Sequence, residues 1–209
     1  MKFNQEFKEA LSELPSKEKD KLLFRLLKKD LKLAKKLYFE LVSGESIDER
    51  RQKMIKRVEE ETQHITDTFY SPGYLLVDLR FLSGAITEHV NTTKDKFGEI
   101  VLNLLMLNKT LEKNRDNILK FSEGRSRTLL TYIIARAFKI LLLTTKLHED
   151  YHLDLREDTK RLGELISNNT YIMKAAIYHG LDVNWLCRFE IPNNLIEIHR
   201  DLRERGYLK

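Results

Sequence analysis

The sequence predicts an all-α fold: a single-domain helical array of about nine helices over residues 1–209, built as an antiparallel bundle or a short helical solenoid. Three observations predict it. Only three prolines and eight glycines punctuate 209 residues, so regular elements are long and loops few. Leucine, isoleucine and valine recur at steps of three and four, the period of a helix face. No stretch alternates apolar and polar residues as a half-buried strand does. Hydrophobic residues make up 42% of the chain and charged residues 33%, enough to bury a core and too apolar for a disordered segment.

The elements follow in order. A first short helix covers about Asn4 to Leu14 and stops at Pro15. Ser16 is expected to cap a second helix, with Leu22, Leu23, Leu26 and Leu27 as its apolar stripe. If that helix continued unbroken, Asp30 would fall in the middle of the apolar face, where an unpaired carboxylate costs several kcal/mol. Asp30 is therefore expected to cap a third helix, giving a helical hairpin that ends at Gly44 in a left-handed stop. Residues 1–44 form a basic N-terminal helical subregion on this view. A long charged helix spans about Ile47 to Phe69, with Met54, Ile55, Val58 and Ile65 on its inner side. Ser71 and Pro72 have the residue types of a cap and a first helical turn, and the helix they open runs to about Asn91. "TTKD" starts another, ending near Phe121. "SEGRSR" is the clearest loop. The helix from Ser126 is apolar nearly all round for four turns and is expected to be central. Helices over Arg156–Ser167 and Tyr171–His179 follow, the second ended by Gly180. "DVNWLCRFEIP" is irregular or a short helix, and Pro192 opens a last helix ending at Gly206.

Composition narrows the setting. The single cysteine, Cys187, excludes an internal disulfide and a cysteine-rich zinc module, and fits a reducing compartment. The start carries no apolar signal-type core. The most apolar run, Leu129 to Leu143, is interrupted by Arg136 and Lys139 and falls short of the ~20 residues a bilayer span needs. A cytoplasmic chain without membrane contact is expected. The net charge of +5 is uneven: residues 1–57 hold 16 Lys/Arg against 10 Asp/Glu, a net +6, which leaves −1 for the rest.

Four groups of residues carry candidate chemistry. Lys17, Lys21, Arg25, Lys28, Lys32 and Lys36 follow at steps of three and four, making two basic faces on a hairpin. Such faces can meet an acidic protein or neutralise nucleic-acid phosphates. Arg125 and Arg127 flank Ser126, the expected cap of the central helix, where free amides and arginines can hold a phosphate or carboxylate. His148, Glu149 and His152 form His-Glu-x-x-His. On one helix the two imidazoles share a face and ligate zinc, while the glutamate is the general base toward metal-bound water. Asp158 is the candidate third ligand; Leu155 stands where metzincin metalloproteases have glycine. Finally, Glu61-x-x-His64 and Glu149-x-x-His152 have the spacing that di-iron bundles place on two helices.

The stretch Lys17 to Val42, "KEKDKLLFRLLKKDLKLAKKLYFELV", resembles the N-terminus of small all-helical bacterial proteins that are sometimes labelled deoxyuridine triphosphate nucleotidohydrolases. The resemblance extends over much of the chain and rests on leucine and lysine patterning. It implies hydrolysis of a nucleoside triphosphate, with magnesium held by Glu-x-x-Glu and Glu-x-x-Asp. Glu6-x-x-Glu9 and Glu45-x-x-Asp48 are the nearby matches.

Two functions are thus expected from different classes. The first is a non-enzymatic helical interaction or scaffold protein, without cofactor, that presents its basic N-terminal face to an acidic protein or nucleic acid. The second is a metal-dependent hydrolase, using zinc at His148 and His152 or magnesium on carboxylates.

Overall fold

A computed structural model describes residues 3–209, and among the described residues every regular element is helical. Eleven α-helices form: α1 (Gln5–Glu13), α2 (Ser16–Lys29), α3 (Leu31–Leu41), α4 (Ile47–Asp67), α5 (Pro72–Thr93), α6 (Lys96–Leu119), α7 (Glu123–Thr144), α8 (His152–Ser167), α9 (Thr170–Tyr178), α10 (Asn184–Cys187) and α11 (Leu195–Glu204). They exceed the approximate expected number mainly through short pieces such as the single turn of α10.

Local chemistry explains most boundaries. The Asp30 carboxylate accepts from the Lys32 and Leu33 amides, opening α3, while its own N–H closes α2 on Leu26. Ser46 and Glu49 form a reciprocal capping box at α4, the arrangement that satisfies two orphan amides at once. Ser71 caps α5, with Pro72 in the first position.

Other boundaries differ from expectation. Ser16 is the first helical residue and makes no cap; Pro15 holds that position, its carbonyl accepting from Glu18 and Lys19. α3 ends without a left-handed glycine, because the Val42 and Ser43 amides both close on the Tyr38 carbonyl. Positive φ at glycine occurs instead at Gly180 and Gly206, where helix stops were expected. α7 begins at Glu123, so "SEGRSR" is mostly helix and Ser126 lies buried inside the first turns. The last helix begins at Leu195, three residues beyond Pro192.

The helices pack as a two-layer array. α4, α6 and α8 lie side by side in one layer, and α3, α5, α7 and α9 in the other. Each of α4, α5 and α6 also packs on the next helix in sequence. Contacts thus recur between helices one and two apart, the pattern of a short solenoid rather than a closed bundle. α6 shares the centre with α7: Leu102, Leu104, Met106, Ile133, Ala137 and Phe138 are fully buried. The two cations of the apolar run face the seam between these helices. Lys139 pairs with Glu99 at 2.6 Å, and Arg136 lies over the Tyr132 ring at 5.1 Å.

Two close approaches fix the array. Arg51 of α4 grips Asp95, the cap of α6, through Nε to Oδ2 at 2.6 Å and Nη2 to Oδ1 at 2.8 Å. Gly98 donates its amide to the same carboxylate at 2.8 Å. A Cβ on Gly98 would come within 2.0 Å of Asp95 Oδ2, so only glycine fits. At the other end, α8 meets α10 where a Cβ on Gly163 would approach Cys187 Sγ to 2.6 Å and its amide to 2.8 Å.

Candidate interaction surface

The N-terminal helices stand apart from the rest in one respect: α1, α2 and α3 contain no buried residue. Their sequences are nevertheless amphipathic. On α2, Lys17, Lys21, Arg25 and Lys28 share about a quarter of the helix circumference, with Leu22 and Leu26 on the far side. Leu23 and Leu26 remain about half exposed, at 47% and 51%, and Phe24 more so.

α3 packs on α5. Leu31, Lys35, Tyr38 and Val42 line clefts with Gly84, Ala85, Glu88 and Thr92 of α5. Leu33 and Leu41 are left outside, Leu41 at 78% exposure. Of the 20 large apolar side chains exposed on the described chain, ten belong to residues 3–42. Apolar side chains on monomer surfaces are ordinary singly and informative when clustered. Here they cluster.

The six basic residues divide. Lys21 pairs with Glu18 at 2.8 Å and Lys36 with Glu40 at 3.5 Å. Lys17, Arg25, Lys28 and Lys32 have no ion-pair partner among the described residues. Lys32 turns away from the outer face into the α3–α5 cleft. The outward basic face is therefore Lys17, Lys21, Arg25 and Lys28 on α2, while Lys32 and Lys35 of α3 line the joint with α5. Lys35 there pairs with Glu88, and with its neighbours it holds that carboxyl below the ordinary range.

The remaining expected sites come apart. His148 is an extended cap residue ahead of a 3-10 turn over Glu149–Tyr151, and His152 is the first residue of α8. The i and i+4 relation that places two imidazoles on one helical face is absent because the helix breaks between them. His148 is exposed beside Asp150, whereas His152 Nε2 lies 3.3 Å from the Thr144 carbonyl with its ring edge-on to Phe189. Glu149 is exposed, and Asp158 offers its backbone carbonyl to Asn108 while its side chain points outward. Glu61 and His64 line an α4–α5 cleft with Asp78, and α4 does not pack on α8, which carries His152. Burial raises the Asp78 carboxyl, His64 opposes the rise, and Glu61 adds to it. Among the described residues no group of three His, Cys, Asp or Glu converges as a metal site would need. The Glu-x-x-Glu and Glu-x-x-Asp matches also stay separate: α1 makes no substantial packing with another helix, and Glu45 and Asp48 are taken by Lys53 and Arg51.

Arg125 and Arg127 sit on α7, not in a loop, and two residues of helix turn them about 200° apart. Only Arg127 reaches a cavity of about 510 Å³ between α7 and α9, shared with Glu123, Lys174, Tyr178 and His179. Lys174 already pairs with Glu123 at 3.0 Å. The Ser126 Oγ that was to cap the helix is buried without a partner. In the same cavity wall, Thr131 Oγ1 stands 3.1 Å from His179 Nε2. His179 Nδ1 accepts from the Leu208 amide at 3.2 Å, so the neutral ring carries its proton on Nε2 and donates to Thr131. A base that would activate the hydroxyl needs the opposite tautomer. The pair is a structural pin for residues 206–209.

One cluster escaped the sequence. Lys32, Lys35, Arg80 and Arg136, from three different helices, line a single cleft with one carboxylate, Glu88. Its one visible trace in the sequence is Arg136 inside the most apolar run. Comparison of the chain with protein-family models, with curated proteins and with solved structures gives no match. Among the described residues, no helix is long and apolar enough to cross a membrane.

Proposed function

We propose that this chain is a helical interaction protein whose N-terminal segment α1–α3 docks onto an acidic protein surface. The observation that carries it is the pairing of a lysine face with an unburied leucine face on helices that contribute nothing to the core. A partner with an apolar ridge and an acidic rim complements both. The exposed leucines, which offer nothing to a base or a phosphate, favour a protein over nucleic acid here, although Phe24 and Arg25 place one aromatic and one guanidinium beside the lysines. The charges contribute mainly to encounter rate and orientation, and the apolar contacts to residence.

The test uses the full chain. A photo-crosslinking residue at Leu26, activated in cells, gives protein adducts of defined mass that resist nuclease. They disappear when Lys17, Lys21, Arg25 and Lys28 are all changed to Glu. Adducts that collapse on nuclease treatment assign the face to nucleic acid and defeat the protein reading. Adducts no different from those obtained at exposed Lys160 remove the docking surface altogether.

A further inference from the structure

The cleft between α3 and α5 is closed at its inner edge by α7, and it has a volume of about 540 Å³, within the range of small-ligand sites. Its charge is unbalanced. Lys35 is matched by Glu88, which leaves Lys32, Arg80 and Arg136 facing the same space without an ion-pair partner among the described residues.

Arg136 is the most informative of the three. It lies on the most apolar helix of the protein and is half-buried, a position in which an arginine normally has a carboxylate. Lys139, one turn away, has Glu99. Arg136 has only a long hydrogen bond, Nη1 to Asn103 Oδ1 at 3.4 Å, and the face of Tyr132. Its position is set all the same. The Tyr132 hydroxyl is held by Ser83 Oγ and by the Leu79 carbonyl at 3.2 Å, and Asn103 is held by the Glu99 carbonyl at 2.6 Å. The guanidinium is thus fixed in place while most of its five donors go unused. Three cations gathered in one concavity repel one another unless something negative joins them.

We propose that this cleft binds a small phosphate-bearing ligand with two or more negative charges. A single carboxylate would leave two of the three cations uncompensated, whereas a phosphoester group carries close to two charges and three acceptor oxygens. Arginine forks match phosphate in two-point contact, and Lys32 adds a compact charge at the outer rim. Thr87 and Asn91 line the cleft beside the cations and suit the uncharged part of such a ligand. This site is distinct from the outward face of α2, and either stands without the other.

The probe is inorganic pyrophosphate, measured by calorimetry on the full chain at low salt, with citrate and a mixed-sequence oligonucleotide as comparison arms. Saturable pyrophosphate binding is expected, weakened at least tenfold in Arg136→Gln and in Arg80→Gln and unchanged in Arg127→Gln. Arg136→Lys keeps the charge but loses the fork, and it separates loss of ligand contact from a folding defect if its melting curve matches wild type while affinity falls. An oligonucleotide that competes with pyrophosphate, and depends on Arg136, assigns the cleft to a nucleic-acid backbone and overturns the small ligand; one that does not compete supports a small phosphate-bearing ligand. Absence of binding at millimolar pyrophosphate, indifference to Arg136→Gln, or tighter binding of citrate overturns the proposal.

Discussion

Asp95→Ala is expected to be among the most damaging single substitutions in this chain. The carboxylate is almost wholly buried, at 3% side-chain exposure, and receives two hydrogen bonds from Arg51 and one from the Gly98 amide. Burial works against its charge. His89, with Nε2 3.7 Å away, the Arg51 fork and the Gly98 amide overcome that penalty and hold the carboxyl well below its ordinary 3.8. Removing one partner of a buried pair costs roughly 3–5 kcal/mol, and loss of the α6 cap lies within that sum at about 1 kcal/mol. Arg51 keeps Asp48 at 2.7 Å, which places the cost at the lower end, about 3 kcal/mol. For a chain of this size that lowers the melting temperature by ~6–12 °C. Asp48→Ala breaks only an exposed contact of the same arginine and costs below about 1 kcal/mol. The sign of the pH dependence follows from the lowered value. The pair contributes fully above pH 3.8, and its contribution drains away as the pH falls below that point. Urea unfolding of wild type, Asp95→Ala and Asp48→Ala at neutral and acid pH measures all three statements. A cost for Asp95→Ala no larger than for Asp48→Ala, or an acid slope undiminished in Asp95→Ala, refutes this account of the α4–α6 joint.

Two further outcomes are expected. Gly163→Ala drives a methyl into the Cys187 backbone as well as its sulfur, so α8 and α10 must separate; a loss of about 1–3 kcal/mol in urea unfolding is expected, and a neutral effect would mean that this contact is slack. Burial and the nearby Arg127 charge lower the His179 imidazole below 6.5. Its contribution is therefore complete above pH 6.5 and declines as the pH falls from there through the folded value, since a protonated Nδ1 no longer accepts from Leu208. His179→Gln should flatten that part of the pH–stability profile, and an unchanged profile counts against the pin.

Much of the fold was legible because the strongest signals are local. Asp30 announces a helix start, since the alternative buries a bare carboxylate. Ser71 followed by Pro72 does the same by pairing a cap with a ready-made first turn. Errors arose where a local rule had two solutions. Ser16 and Ser126 have cap chemistry, yet Pro15 and Ser122 occupy those positions and the serines fall one or four residues inside. His148 to His152 carries no glycine or proline, so its spacing reads as continuous helix, and nothing local reports that His148 takes an extended backbone. The cationic cleft was beyond sequence reach for a different reason. Lys32, Arg80 and Arg136 meet only because α3 and α7 flank α5 in one layer, and the side of α3 that lines the cleft mixes Leu31, Tyr38 and Val42 with Lys32 and Lys35. Periodicity within α3 says nothing about which cations of α5 and α7 that side will meet.

The exposed leucines also bear on how the N-terminal segment would work under the proposed docking. A stacked array closes its ends with polar surface, and α3 covers α5 yet leaves Leu33 and Leu41 exposed. α1 has nine residues and α2 fourteen, near or below the length at which an isolated helix holds in water. What stabilises them within the chain is local: the Asn4 cap, the Lys21–Glu18 pair, and the Asp30 corner where α2 ends and α3 begins. Burying the exposed half of Leu23 and of Leu26 under a partner would supply roughly 1.5–3 kcal/mol before the cost of ordering. That is comparable to what the two caps provide together, at about 1 kcal/mol each. On the proposed docking, a partner that covers these leucines would add about as much stability to α1 and α2 as their own caps do. Charge on the α2 face would set how fast it attaches, and the leucines how long it stays.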